Sequence, residues 1–322
     1  MSAGSPRIDV AYFKLFDNCN AQCNMCDCWL RPRSGRDVAH YLDVLERVLA
    51  ACPRSIRFTG GEPLLLRSLP ALVATAAASG ARVSVISNGR ILPGKVRQLA
   101  ESGCDEIVLS LDGPGQAHDR IRNTPRLFDK IMESIACIGD ARLAYGVNTV
   151  VQRETIREVP GVARLLLGQP VTPRWWHLIP VRGQPDLQPS GEDADWLGET
   201  LPGVARELAG AGVEVIADAA MFSGRATGRC EVPQFALYVD AESGRAYSCN
   251  MLAYADPPVG NLMDSAMEEI WLGTAAMAVR DSCEEGTHAA CSRCDTGSML
   301  MNHRLRSQAI LAQPRQWPAK RG

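Results

Sequence analysis

The sequence predicts an α/β protein: a partial (β/α)6 TIM barrel with a smaller cysteine-rich unit behind it. Three observations carry that expectation. Strand-like and helix-like stretches alternate as far as Pro180. The breaks that follow the strands are Gly-rich and polar. The cysteines gather in two groups near the two ends of the chain. A length of 322 residues with 46% apolar content suits one barrel and a small addition.

The elements can be justified in order. Val10–Phe16, Ser55–Thr59, Arg82–Ile86, Glu106–Leu111, Leu143–Val151 and Trp175–Pro180 are short runs rich in β-branched, aromatic and other apolar residues, as strands require. Between the first two, Val38, Leu42, Leu45 and Leu49 recur at helical spacing. Leu64–Ala78, Lys95–Glu101, Leu127–Ile138 and Ile156–Leu167 fill the later gaps in the same way. Strand–helix units in series imply a parallel sheet with right-handed crossovers. Past Pro180 the stretch GQPDLQPSGEDADWLGETLP, residues 183–202, is polar and contains the start of another helix. Phe235–Val239 and Arg245–Cys249 flank DAESG and read as a hairpin, and a helix over Asp264–Leu272 follows. The expected division is 1–215 for the barrel and 216–322 for the second unit.

Composition narrows the function. A formal net charge of -2 leaves no polybasic footprint for nucleic acid. No apolar run approaches the ~18 residues of a membrane span, and the start MSAGSPRIDV has no apolar signal core. The expected location is the cytoplasm, where disulfides are rare. The 12 cysteines are then thiols or metal ligands. Cys52, Cys104 and Cys137 are scattered and read as small buried hydrophobes.

In a βα barrel the reactive groups stand at the C-terminal ends of the strands. Cys19, Cys23 and Cys26 follow the first strand. Gly60, Gly61, Glu62 and Pro63 follow the second, and Ser87 and Asn88 the third. Asp112 follows the fourth, Asn148 lies late in the fifth, and His177 lies in the sixth. Asp112, Asn148 and His177 are candidates to hold hydroxyls or a cofactor, although His177 beside Trp175 and Trp176 also reads as a packed core residue. The spacing Cys19-x3-Cys23-x2-Cys26 is not a usual zinc pattern. Three thiolates on one loop can hold three irons of a cubane and leave the fourth open to a ligand. Cys28 is the surplus thiol of this run.

These motifs resemble the radical S-adenosylmethionine (SAM) superfamily, whose signature is C-x3-C-x2-C after the first barrel strand. Met25 departs from the aromatic residue usual before the third cysteine. GGEP at 60–63 looks like that family's SAM-binding segment. Its glycines would let backbone approach a ligand, and Glu62 would help engage the ligand's amino group. The resemblance implies a [4Fe-4S] cluster on Cys19, Cys23 and Cys26 that chelates S-adenosyl-L-methionine, and a 5′-deoxyadenosyl radical that abstracts hydrogen. It also implies a one-electron reductant such as flavodoxin or ferredoxin.

Cys230-x13-Gly244-x4-Cys249 and Cys291-x2-Cys294 resemble the two halves of the SPASM/twitch extension. No cysteine follows Cys294, so the shorter twitch form with a second [4Fe-4S] cluster is expected. Five cysteines compete for four positions. Either Cys230, Cys249, Cys291 and Cys294 are ligands and Cys283 is left over, or Cys283 replaces Cys249. In the second case Cys249 ends the hairpin facing the barrel mouth and can donate hydrogen to a substrate radical, inverting it.

The first strand begins near residue 8, which favours a small substrate over a peptide. The size and ending resemble aminoglycoside-tailoring members, neomycin C epimerase-like enzymes and aminocyclitol dehydrogenases among them. The resemblance therefore implies an aminoglycoside or aminosugar epimerase, with a dehydrogenase or a peptide maturase as alternatives. Asp186, Glu192, Asp193, Asp195, Glu231, Asp240 and Asp256 are either contacts for substrate ammonium groups or a solvated charged face.

Overall fold

The computed structural model describes residues 7–181, 184–222, 230–254 and 256–289. Strand β1 (Val10–Lys14) leads into a long loop and then helix α1 (Val38–Leu49). The alternation continues through β2 (Ser55–Thr59), α2 (Leu69–Ala78), β3 (Arg82–Ser87), α3 (Val96–Glu101) and β4 (Glu106–Ser110). Two helices follow, α4 (Gln116–Ile121) and α5 (Leu127–Asp140), then β5 (Ala144–Val151), α6 (Val159–Leu167) and β6 (Trp175–Pro180). Next come α7 (Gly191–Gly210), the short β7 (Glu214–Ile216) and α8 (Val232–Phe235). The described part closes with β8 (Ala236–Asp240), β9 (Arg245–Tyr247), β10 (Gly260–Asn261), α9 (Met267–Leu272) and α10 (Thr274–Glu285).

Among the described residues the ten strands form one sheet in the order β10-β9-β8-β1-β2-β3-β4-β5-β6-β7. From β8 to β7 every pairing is parallel, the arrangement of a TIM-barrel-like core. The hairpin β8–β9 is antiparallel, as its DAESG turn implies, but it is not a separate layer. Its first strand pairs with β1, matching Val10 to Ala236 and Lys14 to Asp240. The sheet therefore runs without a break across the boundary expected at 216, and the parallel part has eight strands rather than six. The three residues of β7 were too few to show a pattern, and the pairing of β8 with β1 is non-local.

Local chemistry sets the helix ends. The stretch from Leu64 does not form one helix. A 3-10 turn over Pro63–Leu65 comes first, and α2 starts after Ser68 with Pro70 in its first turn, where proline lacks no needed donor. Val159 and Pro160 open α6 in the same way after a 3-10 turn. Helix α7 carries a capping box at its start: Asp193 N–H donates to Ser190 Oγ, and the Asp193 carboxylate accepts from Ser190 N–H.

The sheet curls. Arg57 on β2 stacks on Tyr12 of β1 and reaches Trp175 of β6, at 5.7 and 5.8 Å from the ring centroids. Contact between strands this far apart in the sheet means that these side chains fill its concave interior. Arg57 also pairs with Glu106 of β4 at 3.6 Å, and Trp175 Nε1 donates to Glu106 Oε1 at 3.0 Å. Gly146 makes room for the indole: a Cβ there would lie 2.1 Å from Trp175. In-register neighbours share a face, so Ser110, Asn148 and His177 line the same interior further toward the C-terminal ends.

Candidate active site

The loop after β1 carries the four N-terminal cysteines and is clamped by the ends of the neighbouring strands. Leu15 N–H extends the ladder to Thr59 O at 2.9 Å. Gly61 N–H donates to Phe16 O and Glu62 N–H to Asn18 O, each at 2.8 Å. A Cβ on Gly61 would lie 2.1 Å from Asn18 O, and one on Gly60, whose φ is +148°, would lie 2.6 Å from Phe16 O. The first two residues of GGEP are thus glycine because the cysteine loop packs on them. This differs from the expectation that their role was to admit a ligand.

Glu62 differs from expectation too. Its side chain is fully buried, and it accepts from Leu64 N–H (3.1 Å), Ser87 Oγ–H (3.0 Å) and Asn88 N–H (2.8 Å). Burial pushes its pKa up to about 7 against those three donors. Glu62 ties the end of β2 to the end of β3 through its carboxylate. Pro63 continues this segment as the first residue of the 3-10 turn.

Asn88 then reaches the loop. Its Nδ2 donates to Asn20 Oδ1 at 2.8 Å and to Cys19 Sγ at 3.7 Å. A second donor approaches Cys23. Arg122, just after α4, donates from Nε to Asp112 Oδ2 at 2.6 Å and from Nη1 to Cys23 Sγ at 3.7 Å. Asp112 is 1% exposed, and its other oxygen accepts from Val150 N–H at 2.8 Å. Asp112 was expected to bind hydroxyls or SAM. Instead its two oxygens hold Arg122 and the end of β5.

Asp112 N–H also donates to Nδ1 of the buried His118 at 3.1 Å, so that ring is neutral with its proton on Nε2, and burial lowers its pKa to about 4. Gln152 at the end of β5 donates to Asn24 Oδ1 at 3.0 Å, and Asn24 N–H donates to Ile121 O at 3.0 Å. Sequence reasoning missed His118, Arg122 and Gln152. The signal was there for two of them: His118 and Arg122 stand four apart, one turn, directly after the Asp112-Gly113 break.

The thiols differ in environment. Burial raises the Cys19 and Cys23 pKa values, and Arg122 pulls that of Cys23 the other way. A hydrogen bond from Cys28 lowers the Cys26 pKa to about 6. The donor set fits an iron–sulfur cluster: three thiols stand on one loop, and two of them have an N–H donor at 3.7 Å from sulfur, the kind of outer contact a ligating thiolate accepts. A cavity of about 420 Å³ opens beside the loop against Cys19, Cys28, Arg31, Arg33 and Arg90.

Asn148 and His177 are half-buried on the concave face, in register with one another. They form a polar strip above the Arg57–Trp175 layer. Among the acidic candidates, Asp193 serves the α7 cap and pairs with Arg157 at 3.1 Å, Asp240 accepts from Ser243, and Asp256 pairs with His288 at 2.9 Å.

The second cysteine group lies at the other end of β1. Cys230 and Cys283 are buried together, 5% and 0% exposed, and Cys230 N–H donates to Cys283 O at 3.0 Å. Cys249 is half-buried, two residues past the end of β9. The last pairing of β9 sets Tyr247 beside Tyr238, in register with Tyr12 of β1, and Cys249 follows in the bend after it. Cys291 and Cys294 lie outside the described residues.

With this geometry in hand, comparison with known proteins defines the class. The chain matches the Radical SAM superfamily model over residues 13–166, and an iron-sulfur cluster-binding domain of the SPASM type over residues 230–295. It carries a radical SAM domain followed by a SPASM/twitch-type iron–sulfur domain; these domains imply SAM, a [4Fe-4S] cluster and further iron–sulfur clusters.

Among curated relatives, it is 27% identical to the AdoMet-dependent heme synthase of Nitratidesulfovibrio vulgaris, over 50% of this chain and 46% of that one. The match thus spans under half of that relative's length. Among solved structures, it resembles Streptococcus suis SuiB bound to S-adenosylmethionine, with TM-score 0.71 and 12% identity over 92% of this chain and 74% of that one. It also resembles BtrN in complex with AdoMet and 2-DOIA, with TM-score 0.53 and 15% identity over 90% of this chain and 93% of that one. At such identities the likeness is one of fold. Among the described residues no helix is long and apolar enough to cross a membrane.

Proposed function

We propose that this radical SAM enzyme abstracts a hydrogen atom from a carbon of an aminoglycoside or aminosugar and inverts that carbon, with Cys249 as the hydrogen donor. Cys19, Cys23 and Cys26 would hold the SAM-binding cluster, and Cys230, Cys283, Cys291 and Cys294 the auxiliary one. When bound, the first cluster and SAM supply the radical that removes the substrate hydrogen. One observation carries the choice of donor: Cys230 and Cys283 stand side by side and buried, as two ligands of one cluster would. The donor role then falls to Cys249.

Inversion needs hydrogen delivered to the face opposite the abstraction, and Cys249 would deliver it. In that step the Cys249 S–H bond breaks as a new substrate C–H bond forms. The sulfur is restored by one electron and one proton, the electron coming from a flavodoxin- or ferredoxin-type reductant. Asn148 and His177 would orient substrate hydroxyls. A dehydrogenase is the second reading, favoured by the half-buried imidazole of His177 on the concave face, which can accept a hydroxyl proton.

The test is incubation of reduced, reconstituted enzyme with SAM and an aminoglycoside in D2O. Inversion yields a product of unchanged formula, except for one carbon-bound deuterium. Dehydrogenation yields loss of two hydrogens and no such deuterium. C249A should keep the iron of both clusters and still form 5′-deoxyadenosine, without inverted product, whereas C283A should lose auxiliary iron. Loss of auxiliary iron in C249A, or inversion by C249A, would refute the donor assignment.

A further inference from the structure

Two N–H groups point at the sulfurs of the N-terminal loop, and they differ in kind. Asn88 offers a neutral amide to Cys19, whereas Arg122 offers a guanidinium to Cys23, both at 3.7 Å. Arg122 is 9% exposed, so solvent screens its charge weakly. Its Nε is anchored at 2.6 Å on Asp112, which is itself held to Val150 N–H and His118. This chain of contacts joins the ends of β4, α4 and β5 and fixes the guanidinium from behind. Salt bridges made only for stability do not need their free edge directed at a thiol.

We infer that Arg122 is a positioning residue that sets the reduction potential of the SAM-binding cluster, through a fixed charged hydrogen bond to Cys23. Reduction adds one negative charge to the cluster. A cation hydrogen-bonded to a ligand sulfur stabilises the reduced form more than the oxidised one and so raises the potential. Cys23 and Cys19 would then be unequal. The sulfur with the charged donor carries more of the added electron density, and the neutral Asn88 contributes a smaller effect in the same direction. The inference rests on Cys23 being a cluster ligand, which iron content and the SAM-sensitive EPR signal check separately.

The experiment has two arms, both on the reconstituted full chain. In the first, a dithionite titration with redox mediators follows the EPR signal that changes on adding SAM; that response separates it from the auxiliary cluster. R122Q should shift the midpoint to a more negative value with iron content unchanged, R122K should recover most of the shift, and N88A should shift it less than R122Q. Equal potentials in parent and R122Q, or equal shifts in R122Q and R122K, overturn the inference.

The second arm needs no variant to fold. Pulsed EPR of the reduced parent protein, grown with isotopically labelled arginine, should show a weak hyperfine coupling from arginine nitrogen to the cluster. A parent spectrum with the SAM-sensitive cluster present but no arginine coupling overturns the inference by itself.

Discussion

Gly61→Ala is the most direct test of how the cysteine loop is held. The added Cβ would lie 2.1 Å from Asn18 O and 2.5 Å from Asp17 O. Both are backbone atoms, so no side chain can swing aside. The loop must lift, and that breaks the hydrogen bonds from Gly61 N–H to Phe16 O and from Glu62 N–H to Asn18 O. Two buried hydrogen bonds lost cost about 2 kcal/mol, and the overpacking adds about 2 kcal/mol. At about 1.4 kcal/mol per tenfold, the docked loop becomes roughly three orders of magnitude less favoured.

The loop should therefore release locally before the barrel melts. Anaerobic reconstitution followed by iron analysis should show loss of the SAM-responsive EPR signal, while far-UV circular dichroism stays near the parent's. Gly94→Ala is the control, since nothing lies within 4 Å of its Cβ position. If G61A takes up full iron and gives a normal SAM-responsive signal, GGEP does not anchor the loop and the steric argument fails.

Other outcomes follow from the same geometry. His118 has a folded pKa of about 4, below its unfolded value near 6.5. The unfolded chain therefore binds the proton first, and stability present above pH 6.5 drains away as pH falls toward 4, by about 3 kcal/mol in all. Urea titrations from pH 8 to pH 4 should show that slope in the parent and a shallower one in H118N, which keeps an acceptor for Asp112 N–H; equal slopes would rule His118 out. Gly146→Ala should displace the Trp175 indole and lower thermal stability by about 3 kcal/mol, read as a drop in melting temperature and a change in tryptophan fluorescence. Ser190→Ala should cost about 1 kcal/mol by removing the α7 cap, with iron content unchanged.

Much of the core was legible because its signals are local. Ser55–Thr59 and Trp175–Pro180 are apolar-rich runs with clear breaks, and the structure ends those strands at the same residues. QAHDRI of α4 has no apolar period and was passed over, as was the three-residue β7. The cysteine spacings and GGEP were visible as patterns, but their partners were not. Whether Gly61 faces a ligand or Asn18, and whether Asp112 faces a substrate or Arg122, depends on loops brought together from distant parts of the chain. The same holds for Cys249: its place in a hairpin was readable, but which end of β1 it lies beside depends on β8 pairing with that strand.

Strand β1 is shared between the two parts of the chain that carry the cysteine groups. Its C-terminal end opens directly into the Cys19–Cys26 loop. At its other end, Asp9 N–H binds Phe235 O, on the segment that follows Cys230. Five residues at about 3.3 Å each give the strand a length of about 17 Å. It is hydrogen-bonded on both sides, to β2 and β8, so it cannot slide without re-registering both neighbours. The interval between the two ends is thus written into the length of a single strand.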